Sequence, residues 1–66
     1  MNALTRREAQ LAELIAQGKS NRLIATSLHL SESTIREYLH RMFGKFRLRN
    51  RTGLAVWWIS TDRTRG

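Results

Sequence analysis

Polar residues that begin helices recur along this chain, and nothing in it begins a strand. Thr5, Ser20 or Asn21, Ser31 and Asn50 each carry a short side chain able to accept from the N–H groups of a first helical turn. Behind each of them apolar residues follow at spacings of three and four, the period of one helix face. Period-two alternation is absent, as are Asn-Gly and Asp-Gly turns, proline, internal repeats and low-complexity tracts. The pattern predicts an all-α chain of four helices, over about 5–17, 20–28, 31–47 and 50–61.

Local signals refine each segment. Thr5 and Glu8 have the spacing of a capping box, with Leu4 placed to act as a hydrophobic staple. Leu11, Ala12, Leu14 and Ile15 form the first buried stripe, and Gly18 stands where a helix ends in a left-handed residue. In the second helix the buried residues are Leu23 or Ile24, with Ala25 and Leu28, and Leu30 plugs the core beyond it. The third helix buries Ile35, Leu39, Met42, Phe43 and Phe46. Gly44 inside it costs about 1 kcal/mol relative to alanine. Leu48 anchors the link to the last helix, where Leu54, Ala55 and Trp58 share an inward arc. Residues 62–66 are expected to fray.

The 66 residues amount to one domain, 1–66, near the lower size limit for folding without staples. With no cysteine, disulfides and thiolate metal sites are excluded. His29 and His40 stand eleven apart with no carboxylate cluster, so no metal site is expected. No nucleophile–base arrangement and no Gly-rich phosphate loop point to an enzyme, and no cofactor is implied. There is no apolar run near the roughly 20 residues that span a bilayer, nor an apolar N-terminal leader segment. Together these predict a cytoplasmic protein that does not engage a membrane. Twelve Lys and Arg against five Asp and Glu give a net charge of +7. That balance favours a polyanionic partner, nucleic acid first. Ten of the twelve cations are arginine, which suits bidentate contacts to phosphate and guanine.

Two short helices joined by a tight turn, the second longer and basic, make a helix-turn-helix pattern flanked by a first and a fourth helix. The wording is more specific. The stretch LTRREAQLAELIAQGKSNRLIATSLHLSESTIREYLHRMFGKFRLRNRTGLA resembles the effector domain of the LuxR/GerE family, shared by NarL/FixJ-type response regulators. Leu4-Thr5, Arg7-Glu8, Ala16, Gly18, Ser20-Asn21, Ile24-Ala25, Leu28, Ser31, Thr34, Lys45 and Arg51 stand in register with the family pattern, without a gap over about residues 4–59. Region 4 of sigma factors opens similarly, but the Gly18–Asn21 and Thr34–Tyr38 wording favours LuxR/GerE. The chain departs from the pattern at Leu23, where the family has Glu, at Tyr38, where it has His, and at Phe46. These changes bear on the DNA sequence read more than on the fold.

On the third helix the side opposite the core carries Ser33, Arg36, Glu37, His40 and Gly44, and Thr34, Tyr38, Arg41 and Lys45 line one flank. By resemblance, Arg36, Glu37 and His40 fall on base-contacting positions and Thr34 on a phosphate-contacting one. Chemistry suits Arg36 to guanine and His40 to guanine or phosphate. Glu37 suits either cytosine N4 or an ion pair with Arg41. Tyr38, Arg41 and Lys45 suit phosphate, as do Ser20, Asn21 and Arg22 at the start of the second helix. The last helix is apolar on more than one side, and Thr52, Val56, Trp57 and Ile59 lie off its inward arc. The resemblance implies a homodimer through that helix, on double-stranded DNA, in a bacterial or phage transcription regulator. The second reading is a module that docks on another LuxR-type regulator through "AVWWI". Starting at the first helix, the chain is either an excised effector domain or a stand-alone regulator, and Met1 favours the latter.

Overall fold

A computed structural model describes the backbone of residues 4–65 and the side chains of residues 4–60. Its elements are α1 (Arg6–Ala16), α2 (Asn21–Leu28), α3 (Glu32–Lys45) and α4 (Arg51–Arg65), with no strand among the described residues. The fold is all-α, as the spacing predicts.

Side chains start all four helices. The Glu8 N–H donates to Thr5 Oγ1 at 3.1 Å while the Thr5 N–H donates to Glu8 Oε1 at 2.9 Å, a closed capping box. Ser20, not Asn21, caps α2 by accepting from the Leu23 N–H at 3.2 Å. Ser31 caps α3 through the Thr34 N–H at 3.1 Å, and Asn50 Oδ1 accepts from the Gly53 N–H at 2.8 Å in α4.

The first three helices end alike, on a left-handed residue: Gly18 at φ 84°, His29 at 59° and Arg47 at 57°. In each case that residue's N–H and the next bond back into the last turn, as Gly18 to Ile15 and Lys19 to Leu14, His29 to Thr26 and Leu30 to Ala25, Arg47 to Gly44 and Leu48 to Phe43. Here the structure corrects the expected bounds. Because Arg47 reverses the chain, α3 stops at Lys45 rather than continuing to Arg47. At the other end, α4 continues past Thr61 to Arg65, so the frayed tail expected from Asp62 is helical backbone. No glycine or proline intervenes to stop it. Gly66 lies outside the described residues.

The core takes Leu11, Ala12 and Ile15 from α1, Ile24 and Ala25 from α2, Ile35, Leu39 and Met42 from α3, and Leu54 and Trp58 from α4. Ile24 is the buried member of its pair, and Leu23 is 54% exposed. Leu14, Phe43, Phe46 and Ala55 are half-buried against the core rather than inside it. The helices pack mainly as two pairs, α1 on α4 and α2 on α3. Polar ties hold the pairs together. Glu8 and Lys45 join α1 to α3 at 3.0 and 3.2 Å, and Trp58 Nε1 donates to Glu13 Oε1 at 2.8 Å between α4 and α1. The Phe46 and Trp57 rings stack at 4.7 Å between α3 and α4.

Burial pushes the Glu8 carboxyl up, but the Thr5 backbone N–H and the Lys45 ammonium outweigh it and hold the group below its ordinary value of 4.5. A carboxylate with a depressed folded value stabilises the fold above the unfolded value, and that contribution is lost as pH falls through the folded one. Glu8→Gln keeps an acceptor for the cap and loses the charge. It should cost about 1 kcal/mol at pH 7, and Glu8→Ala about 2–3 kcal/mol. In thermal unfolding each kcal/mol should lower the midpoint by about 4–8 °C. Scans between pH 7 and pH 3 should show the wild type losing its advantage over Glu8→Gln below pH 4.5. A constant gap would refute the assignment.

Candidate nucleic-acid interface

The tight turn between α2 and α3 exists because His29 takes the left-handed conformation and Ser31 restarts the helix two residues later. Ile35, Leu39 and Met42 then fix the rotation of α3 by occupying the core, which leaves Ser33, Arg36, Glu37, His40 and Arg41 exposed on the opposite side. These five residues line one shallow, open groove. The base-reading residues expected from the sequence, Arg36, Glu37 and His40, are thus brought together, with Arg41 at the same edge.

Glu37 makes no ion pair with Arg41. The Arg41 guanidinium instead lies over the Tyr38 ring, 5.2 Å from its centroid. The carboxylate therefore faces solvent inside a basic groove without a partner on its own helix.

The expected phosphate-contacting residues divide into groups. Ser20 and Arg22 are exposed at the start of α2, and Asn21 beside them is half-buried. Thr34 is half-buried, and its hydroxyl accepts from Ser31 Oγ at 2.9 Å. Tyr38 is half-buried beneath Arg41. Lys45 stands apart: its ammonium is held between the Glu8 carboxylate oxygens and lies 5.2 Å from the Phe46 ring centroid. In the structure Lys45 is committed to joining α1 and α3, a contact that sequence periodicity does not reveal.

A second groove adjoins the first, lined by Asn21, Arg36, His40, Arg49, Asn50 and Arg51 among others. It brings Arg49 and Arg51 to the same basic surface, and neither is assigned there by the sequence reading. The signal was present in the basic run RLRNR, which follows α3 directly. Arg51 donates through Nη1 to Asn21 Oδ1 at 2.6 Å, and its Nη2 donates to the Lys19 carbonyl.

On α4, Thr52, Val56 and Ile59 form an exposed strip, with Val56 58% and Ile59 41% accessible. Trp57, expected on the same interface, is half-buried by its stack on Phe46. Among the described residues no helix is long and apolar enough to cross a membrane.

A helix rotated by its core contacts, preceded by a capped shorter helix and a tight left-handed turn, and presenting Arg, Glu and His outward, defines a helix-turn-helix protein. The chain matches the GerE family, the luxR family of bacterial regulatory proteins, over residues 2–58, and it belongs to that family. It is 42% identical over 57 residues to the nitrate/nitrite response regulator protein NarL of Escherichia coli (strain K12), covering 86% of this chain and 26% of that one. It is 39% identical over 54 residues to the CsgBAC operon transcriptional regulatory protein of the same strain, covering 82% and 25%. To the monoamine regulon transcriptional regulator of Klebsiella aerogenes it is 36% identical over 63 residues, covering 92% and 28%. The chain spans about a quarter of the length of these relatives.

Gly44 is exposed on the outward side of α3, and a Cβ added there would meet nothing within 4 Å. Gly44→Ala should therefore raise stability by about 0.5–1 kcal/mol, the helix-propensity difference, read as a higher urea midpoint at unchanged slope. A lower midpoint would mean that the α3 ending needs glycine.

Proposed function

We propose that this protein is a sequence-specific duplex-DNA-binding transcription regulator, acting as a homodimer with α3 in the major groove. The observation that carries this reading is the gathering of Ser33, Arg36, Glu37, His40 and Arg41 into one open groove on the exposed side of α3. A groove-sized helix edge bearing bidentate donors and one acceptor suits base edges. In this reading Arg36 donates to guanine O6 and N7, His40 donates to guanine or phosphate, and Glu37 accepts from cytosine N4. Ser20, Asn21, Arg22, Thr34, Tyr38 and Arg41 serve phosphate oxygens, with Arg49 beside them; Lys45 keeps its structural pairing. Membership of a family of bacterial regulatory proteins supports the same conclusion.

The exposed Thr52, Val56 and Ile59 strip is the natural dimer contact, since it leaves Val56 and Ile59 open on a helix whose other apolar residues are already turned to the core. Two copies joined there would set α3 helices about one DNA turn apart, ~10 bp, on an inverted repeat. The same strip supports a second reading, docking on another LuxR-type regulator, in which the protein regulates through that partner.

Two measurements test the scheme. On a duplex selected from a random library, six to eight phosphates neutralised per dimer should make log K fall with log salt at a slope of roughly −5 to −7. Arg36→Ala should cost about 1–3 kcal/mol and relax preference at one base pair per half-site. Binding that ignores salt, or that tolerates Arg36→Ala with His40→Ala, would overturn the DNA reading. For the dimer, light scattering should show Val56→Glu shifting the protein to monomer. A wild type that is monomeric at every concentration would favour the docking alternative.

A further inference from the structure

We propose that Arg51 is a positioning residue for DNA, holding the Asn21 side-chain amide so that its NH2 group faces the phosphate backbone. The inference rests on the DNA-binding reading above and adds a role to a residue outside the helix-turn-helix. Arg51 lies in the first turn of α4, and its guanidinium spans two acceptors, Asn21 Oδ1 at 2.6 Å and the Lys19 carbonyl. A guanidinium has donors only, so the amide atom facing it must be the oxygen. The Asn21 nitrogen is thereby placed on the opposite arm of the planar amide, and its two N–H groups point away from Arg51. Asn21 is the first residue of α2 and half-buried, between the exposed Ser20 and Arg22. Without Arg51 the amide would be free to rotate, and half of its orientations would present the oxygen, an acceptor that phosphate repels.

A second observation places this contact at the DNA-facing surface rather than in remote scaffolding. Asn21 and Arg51 line the same groove as Arg36 and His40 of α3, together with Arg49 and Asn50. The clamp therefore sits where the start of α2, the outward side of α3 and the start of α4 meet. Because the planar fork bridges a side chain and a main-chain carbonyl at once, lysine cannot replace it. Arg51→Lys retains the charge and loses the second arm.

The test is a double-mutant cycle on the selected duplex. Asn21→Ala and Arg51→Ala should each weaken binding roughly tenfold, the scale of one hydrogen bond to a charged group. The double variant should be little weaker than either single one, and Arg51→Lys should not rescue. If Arg51 instead contacts phosphate directly, the losses will multiply, Arg51→Lys will restore binding, and the salt slope of Arg51→Ala will shrink by about one. Either pattern, or an Asn21→Ala variant that binds like wild type, would overturn the inference while leaving the DNA reading intact. A DNA-free readout separates the two failures. In nitrogen-edited NMR spectra the wild-type Asn21 side-chain amide pair should be shifted by the guanidinium on its carbonyl oxygen, and Arg51→Ala should return it to the values of an exposed asparagine with the fold unchanged. Identical Asn21 signals in both proteins would disprove the clamp whatever the DNA result.

Discussion

The ion pair between Glu8 and Lys45 joins a helix cap to a tertiary contact, and with the Arg51–Asn21 bond and the Phe46–Trp57 stack it ties the two helix pairs of this small protein together. Its helices pack as two pairs, and an apolar core of ten buried residues leaves little area to fix one pair against the other. Among the described residues Glu8 is the one buried polar side chain, at 8% exposure. It uses one oxygen twice, for the Thr5 N–H and for Lys45, and the other for Lys45 alone. The same carboxylate thus closes the N-terminus of α1 and grips the last turn of α3. Removing it would undo a local cap and a tertiary contact together, whereas an exposed ion pair would contribute almost nothing.

The ends of the helices set where the chain turns from one helix into the next. A left-handed residue at His29 costs about 1–2 kcal/mol in intrinsic backbone energy, since its Cβ crowds the following carbonyl. The next residue offsets that cost. Leu30 and Leu48 each follow a left-handed residue, bond back into the helix just ended and pack against the core. Partial burial of each leucine against the core, together with the two returning hydrogen bonds, works against that strain. At Gly18 the following residue is the exposed Lys19, and there the chain uses glycine. The three endings thus share one geometry reached by two routes.

That pattern explains how much was legible in advance. Capping by Thr5, Ser31 and Asn50 needs only a partner three residues away, and the rotation of α3 follows from its own apolar period, so the exposed Arg36, Glu37 and His40 could be read directly. The end of α3 could not, because an arginine in the left-handed region carries no compositional mark. Leu23 and Ile24 are adjacent, and only the packing of α2 on α3 chooses between them. Lys45 and Arg51 pair with residues 37 and 30 positions away. Contacts at that separation have no periodic signature, so neither the tie of Lys45 to Glu8 nor that of Arg51 to Asn21 could be read from the chain.

Glu37 is where these separate strands of reasoning meet. A carboxylate in a basic groove calls for a compensating partner, and the obvious one, Arg41 one turn on, is drawn instead over the Tyr38 ring. An i,i+4 pair would have contributed only about 0.2–0.5 kcal/mol, and the cation–π contact is worth about as much at an exposed site, so the helix loses little by leaving Glu37 unpaired. On the proposed DNA reading its cost would fall on duplexes in general, because every duplex presents phosphates nearby and only a base with a donor in reach would repay the desolvation. The repulsion is common to all sequences and the compensation is confined to a few. An acceptor left without an intramolecular partner therefore widens the gap between specific and non-specific binding, even though it lowers both affinities.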